Sequence, residues 1–237
     1  MKDTYNVIGV MSGTSLDGID LCFTSFSKKN RDWKFSIHCC QTIKYDKKWV
    51  ETLSHAHKFS VLEINEINKK YTSYLGDIIL EFISNNNLND IDLISSHGHT
   101  IFHQPFNNYT FQLGNLSTLR DITKITVVCD FRVQDVKYGG QGAPLVPIGD
   151  LYLFDSYSHC INLGGFSNIS VKKKSQIIAY DICAVNIVLN HYSRKVGLDF
   201  DIDGQLSSSG VINYDLLSDL NSIYYYAVSY THLTLPT

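Results

Sequence analysis

The sequence predicts an α/β protein built from two similar domains, the second of them incomplete. Two glycine turns, each set between strand-like runs, predict it, together with an amphipathic helix after the first. The first turn lies in MSGTSLDGID, Met11 to Asp20. Tyr5, Val7, Ile8 and Val10 lead in. After Gly18, apolar Ile19, Leu21 and Phe23 alternate with Asp20, Cys22 and Thr24, the period of a half-buried strand. The second turn lies in INLGGFSNIS. Cys160, Ile161 and Leu163 run into Gly164 and Gly165, and Ser167 to Val171 resume the alternation.

The tip of the first turn offers Gly13 and Gly18, the hydroxyls of Ser12, Thr14 and Ser15, and consecutive backbone N–H groups able to cradle an anion. Asp17 and Asp20 stand beside it. Carboxylates there would repel a bare phosphate, so they point to a divalent cation between them, with Asp17 as the magnesium-side candidate, and to a nucleoside triphosphate. A Walker loop needs a lysine before Ser or Thr at the start of a helix, and the dinucleotide fingerprint also opens a helix. Here no lysine lies between Lys2 and Lys28, and the residues after the turn keep strand period. The competing reading is an ordinary hairpin with a polar tip. The second copy favours a phosphate site. Two such hairpins facing each other across a phosphate resemble the actin, Hsp70 and sugar-kinase superfamily, which implies two ribonuclease-H-like domains and ATP with Mg2+.

Trp33, Phe35 and Ile37 alternate as a third strand would. From Ser60 to Leu80 apolar residues recur at three- and four-residue spacing, with Ser60 and Glu63 forming a capping box. Ile91 to Ile94 reads as a short strand running into SSHGHT, and Ile125 to Cys129 as a buried strand running into Asp130. A first domain over 1–157 and a partial second over 158–225 follow, the latter with a strand at Gln176 to Tyr180 and a helix from about Ala184 to Lys195. Leu216, Leu217 and Leu220 suggest a short helix. Residues 226–237 have neither period nor a strand partner and read as a tail of doubtful origin.

A chain of 237 residues with 44% hydrophobic and 18% charged residues has the composition of a soluble globular protein. Its formal net charge of −3 offers no basic footprint for nucleic acid. No apolar run reaches the roughly 20 residues that span a bilayer, and Met1-Lys2-Asp3 opens no signal peptide. The six cysteines lack any CxxC spacing and sit mostly in apolar runs, as reduced core residues of a cytoplasmic protein do.

SSHGHTIFHQP, Ser95 to Pro105, sets His97, His99 and His103 at a strand terminus. Sugar or phosphate contacts are favoured there over a structural polar loop or a histidine metal site, because no carboxylate lies nearby in sequence. Asp130 and Arg132 leave an apolar strand together. One would accept from sugar hydroxyls and the other clamp a carboxylate or phosphate. Gly139, Gly140 and Gly142 then lead to a helix starting near Ala143 or Pro144. Asp181, at the end of the strand in AYDICAVN, is a candidate general base, a helix cap being the alternative.

IGVMSGTSLDGID, SSHGHTIFHQP, TFQLGN, DFRVQDVKYGGQGAPLVP, INLGGFSNIS and AYDICAVNIVLN together closely resemble the anhydro-N-acetylmuramic acid kinases of bacterial peptidoglycan recycling. The resemblance runs from Ile8 to about Gly210. It implies that Gly13, Thr14, Ser15, Leu16, Asp17, Gly18, Ile19 and Asp20 bind ATP phosphates, with Gly164 and Gly165 in the second hairpin. It implies that His97, His103, Asp130 and Arg132 lie at the sugar site. It further implies that Asp181 activates the water that opens 1,6-anhydro-N-acetylmuramic acid while O6 takes the γ-phosphate, giving N-acetylmuramate 6-phosphate and ADP. Two departures stand out. Family members often carry Thr-Gly-Pro-Gly-Asn after the catalytic aspartate, where this chain has Ile182 to Asn186, and glutamine where it has His99. The likeness fades after about Tyr225, so a truncated or chimeric frame is expected, with adenosine contacts missing and low activity. A non-catalytic ATP- or sugar-binding remnant is the alternative. A homodimer is left open.

Overall fold

The computed structural model describes residues 2–13, 16–29, 32–142, 145–173 and 176–222. Thr14, Ser15, the expected helix start at Ala143 and Pro144, and the 226–237 tail lie outside them. Two compact units divide the chain, Met1–Leu145 and Val146–Thr237. Both mix strands and helices.

In the first unit, β1 (Thr4–Ser12), β2 (Ile19–Lys29) and β3 (Asp32–Ile43) form an antiparallel meander. α1 (Lys47–His55) and α2 (Val61–Asn85) follow, then β4 (Leu93–Gln104), β5 (Tyr109–Leu113), α3 (Thr118–Thr123), β6 (Val127–Val128) and α4 (Phe131–Lys137). The sheet order is β3-β2-β1-β4-β5, with β6 also on β4; β1 and β6 run parallel to β4, and β5 antiparallel. Apolar positions of α2 recur at helical spacing, so its Ile64, Tyr71, Leu75, Ile79 and Phe82 meet Ile8, Val10, Leu21 and Ile94 of the sheet in one core. The capping box forms: Ser60 Oγ accepts from Glu63 N–H, and Glu63 accepts from Ser60 N–H at 2.8 Å. Among the described residues no helix is long and apolar enough to cross a membrane.

Two strand boundaries differ from expectation. β4 does not stop at Ile94 but continues through SSHGHTIFHQ, because its first half pairs with β1 and its second half with β5. Gly98 bends it at φ 72°, where an added Cβ would lie 2.6 Å from the Leu113 carbonyl oxygen. The run Ile125 to Cys129 yields only the two-residue β6, with Val128 39% exposed, since it bonds to the first part of β4 alone.

The second unit contains α5 (Leu145–Leu153), β7 (His159–Leu163), β8 (Phe166–Lys173), β9 (Gln176–Ala184), α6 (Asn186–Lys195), α7 (Gln205–Ser208) and α8 (Tyr214–Ser222). β7, β8 and β9 form an antiparallel sheet. Ile177 is buried in it, while Ile161 and Leu163 are exposed.

Candidate functional site

The first hairpin closes between Ser12 and Ile19, which face each other at the ends of β1 and β2. Leu16 turns the chain at φ 57°, its N–H donating to the Gly13 carbonyl at 3.3 Å. Gly18 packs so close to β3 that a Cβ would sit 2.4 Å from the Ile43 carbonyl oxygen. Asp17 and Asp20 are both exposed, and Ile19 is buried. The Asp20 carboxylate accepts from Thr42 Oγ1 at 2.6 Å, which engages one of its oxygens within the sheet. Asp17 lies close enough to Tyr45 for its charge to help raise that phenol, whose burial is the larger cause.

Beneath the turn lies a polar network that the sequence reading missed. Ser12 Oγ lies 2.6 Å from Tyr45 Oη, 2.8 Å from His99 Nδ1 and 2.9 Å from Tyr71 Oη, which donates to it. The two phenols meet at 2.5 Å. Ser12 and His99 are 2% exposed and Tyr71 is fully buried. Burial, with the neighbouring His97, pushes His99 down to about 4, so its ring is neutral near pH 7. Tyr71 could be found as a core position on α2, but nothing local reveals that its hydroxyl reaches Ser12.

The residues expected at a sugar site converge where β4, β6 and α4 meet. Arg132 Nε donates to His97 Nε2 at 2.8 Å, and His97 Nδ1 donates to the Gly98 carbonyl at 2.7 Å. These two partners fix the neutral Nδ1–H tautomer. Burial, with the Arg132 charge, lowers the His97 pKa. Arg132 Nη1 donates to the Gly142 carbonyl at 2.7 Å. Two of its five N–H donors are thus engaged, and among the described residues no carboxylate forms an ion pair with it. A half-buried guanidinium without a carboxylate is costly unless an anion arrives.

Asp130 sits in the left-handed region at φ 60°, directly before α4, and its Oδ1 accepts from Asn115 Nδ2 at 3.0 Å. Asn115 Oδ1 accepts in turn from Ser96 Oγ at 3.2 Å. Asp135 accepts from the Gly142 N–H at 2.6 Å, holding the loop whose carbonyl orients Arg132. Sequence reasoning assigned no role to Asn115 or Asp135, although both lie in motifs it singled out. His103 is on the exposed end of β4, its Nδ1 3.2 Å from Thr110 Oγ1. Burial and the Arg132 charge lower its pKa, which puts it near the cluster but not bonded to it. Beside it, Gln112 Oε1 is buried without a partner. Among the described residues no group of three His, Cys, Asp or Glu side chains is arranged to hold a metal.

In the second unit, Gly164 and Gly165 lie in the turn between β7 and β8, inside the Leu163–Ser167 pair. Their carbonyls accept from Asn186 N–H and from Val185 and Ile187 N–H, so the start of α6 is tied to the turn. Asn186 Nδ2 also donates to the Leu163 carbonyl at 2.9 Å. Asp181 differs from expectation, for it lies inside β9 opposite Asn168 and not at a strand end. The strand runs on because Ser167 Oγ bonds both the N–H and the carbonyl of Cys183. Ile182 is the extra residue of the resulting register shift, a bulge adjoining Asp181 that re-aims its neighbours. The helix starts at Asn186, two residues later than expected.

A model of the family described as anhydro-N-acetylmuramic acid kinase matches residues 5–234. Three curated proteins of that name are similar to the chain. The one from Caldanaerobacter subterraneus subsp. tengcongensis is 34% identical over 92% of this chain and 61% of its own length. That from Pasteurella multocida is 34% identical over 93% and 61%, and that from Aliivibrio fischeri 35% identical over 96% and 64%. The chain therefore spans about three-fifths of the length of the curated relatives it matches. A family match that runs through both glycine hairpins, β4 and α4 shows that this chain belongs to the anhydro-N-acetylmuramic acid kinase family.

Proposed function

We propose that this protein is an ATP-dependent kinase that hydrolytically opens 1,6-anhydro-N-acetylmuramic acid and phosphorylates its O6, giving N-acetylmuramate 6-phosphate and ADP. The observation that carries the reading is Arg132, a half-buried cation oriented by His97 and Gly142 with no carboxylate of its own among the described residues. The substrate is a sugar acid, and its carboxylate is the anion such a guanidinium takes in bidentate fashion. Asp130, held by Asn115, supplies an acceptor for a sugar hydroxyl beside it. His97 and His103 complete the sugar side.

The two units are read as ribonuclease-H-like halves of the sugar-kinase type, each with its own glycine hairpin as a candidate phosphate-binding turn. In the first, Gly13 to Asp20 would face the phosphates, Thr14 and Ser15 included. In the second, Gly164 and Gly165 would do so. Mg2+ fits this donor set: nucleotide sites hold it through one or two carboxylates plus the phosphates and need no all-protein cage. Asp17 is exposed at the turn and would hold the ion, while Asp20 is engaged by Thr42. Bound there, magnesium would offset the charge of the phosphates. Asp181 would take the proton of the water that attacks the anomeric carbon, the bulge beside it setting its direction.

Calorimetric titration with the sugar tests the reading. The unaltered protein should bind it, and Arg132→Met should weaken binding by roughly 10- to 100-fold, the scale of a lost charge-assisted hydrogen bond. Equal affinity in the two proteins would remove Arg132 from the site.

A further inference from the structure

Two thiols meet on the sheet of the first unit. Cys40 S–H donates to Cys22 Sγ at 3.1 Å, and the two residues are direct partners across β2 and β3. Residues that face each other in antiparallel strands have Cα atoms about 4.5 or 5.5 Å apart, and a disulfide spans about 4.4–6.8 Å, so either spacing permits the bond. All six cysteines are free thiols, and among the described residues no other two are hydrogen-bonded to each other.

The pair is open to reagents. Cys22 stands on the face of β2 opposite buried Ile19 and Leu21, and its partner on β1 is Gly9. A Cβ built on Gly9 would meet only the Cys22 carbonyl oxygen within 4 Å, at 3.8 Å, so β1 sets no side chain beside the sulfur at this position. β3 is the edge strand of the sheet, and Cys40 is exposed on it. Cys39, the next thiol along the chain, packs against the core instead, as strand alternation requires. Two donors can support a thiolate on Cys22: the Cys40 S–H, and the Thr24 hydroxyl at 3.2 Å. The bond to Cys22, with burial second, pushes the Cys40 thiol up to about 11, so Cys22 is the sulfur that attacks first.

We propose that Cys22 and Cys40 are a redox pair that closes a reversible cross-strand disulfide when the chain meets a low-molecular-weight disulfide. The Cys22 thiolate attacks one sulfur of that disulfide, whose S–S bond breaks, and the small thiolate released takes up the proton Cys22 has lost. Cys40 no longer has Cys22 as its acceptor. It gives up its proton, attacks Cys22 Sγ and expels the second small thiolate, which takes that proton. Two electrons thus pass from the two protein thiols to the small disulfide. The new bond ties the edge strand to β2 at the base of the first hairpin, where Thr42 Oγ1 donates to Asp20 at 2.6 Å and the Ile43 carbonyl lies against Gly18. Oxidation therefore restrains the strand on which the turn packs. An exposed bond of this kind belongs to the readily reduced class of disulfides.

The test treats the unaltered chain with oxidised glutathione, blocks the remaining thiols with iodoacetamide and maps tryptic peptides by mass spectrometry without reductant. Expected are a peptide containing Cys22 joined to the one containing Cys39 and Cys40, the loss of two of the six thiols, and the return of both with dithiothreitol. Cys40→Ser should abolish the link and leave glutathione on Cys22, whereas Cys39→Ser should keep the link. Amide exchange at Gln41 to Ile43 should slow by roughly tenfold in the oxidised chain. The same treatment in urea should scatter the links among all six cysteines. A link that survives in Cys40→Ser, a pattern in buffer no more selective than the one in urea, or Cys22 and Cys40 left unlinked would each overturn the proposal.

Discussion

Replacing Ser12 by alanine should remove more stability than any other single hydroxyl in the first unit. Its Oγ makes three contacts, at 2.6, 2.8 and 2.9 Å, inside a core where His99 and Ser12 itself are 2% exposed. Each net hydrogen bond contributes about 0.5–1.5 kcal/mol. After the substitution Tyr45 and Tyr71 keep each other at 2.5 Å, whereas His99 Nδ1 is stranded. Three lost bonds and one orphaned buried group give a cost of about 3 kcal/mol, a large part of the roughly 5–15 kcal/mol of a typical domain. Urea unfolding followed by tryptophan fluorescence reads the right unit. Both tryptophans, Trp33 and Trp49, lie in it, and Trp49 stacks on Tyr74 at 5.1 Å and packs edge-on against Tyr71 at 5.3 Å. The midpoint should fall with the slope unchanged. Ser25→Ala, which removes a partly exposed hydroxyl bonded to Asn6 and His38, should cost less than about 1 kcal/mol. If Ser12→Ala matched that control, the network would be geometry without energetic consequence.

Three further outcomes follow from the same geometry. His99 has a folded pKa of about 4, below the usual 6.5, so the unfolded chain binds the extra proton between them; stability should be full above about pH 6.5 and fall toward pH 4 by on the order of 3 kcal/mol, and His99→Gln should flatten that part of the urea-midpoint profile. Asp181→Asn should leave sugar and nucleotide titrations nearly unchanged while turnover drops by roughly 100-fold or more, and near-normal turnover would remove it as the base. Asp17→Ala should weaken MgATP more than metal-free ATP, and an equal loss for both would reduce Asp17 to a turn residue.

The period of the residues made the first hairpin and α2 legible, because each has one face in the core and one in solvent. β3 and β7 carry the same alternation although Phe35, Ile37, Ile161 and Leu163 are exposed. β4 was not legible beyond Ile94. Ser95, Ser96, His97 and Thr100 carry no apolar alternation, and their strand is held by main-chain pairing to β1 and β5. α4 was missed for a similar reason: its seven residues Phe131–Lys137 bury only Val136. The family resemblance implied that His97, Asp130 and Arg132 share one site, and their separate polar roles were legible from their positions after apolar runs. Their orienting partners Asn115 and Asp135 were not, since a bond such as Asn115 to Asp130 follows from β5 and β6 converging on β4. The Ser12 network was the least legible, because Tyr45, Tyr71 and His99 stand 33, 59 and 87 positions away from Ser12.

The most direct test of the kinase account follows ATP, Mg2+ and 1,6-anhydro-N-acetylmuramic acid by 31P NMR in the presence of the protein. The account predicts that the γ-phosphate signal decays only when the sugar is present, and that a sugar phosphomonoester signal grows in step with ADP. Release of inorganic phosphate at the same rate with and without the sugar, or no phosphomonoester while the sugar is bound, would contradict it.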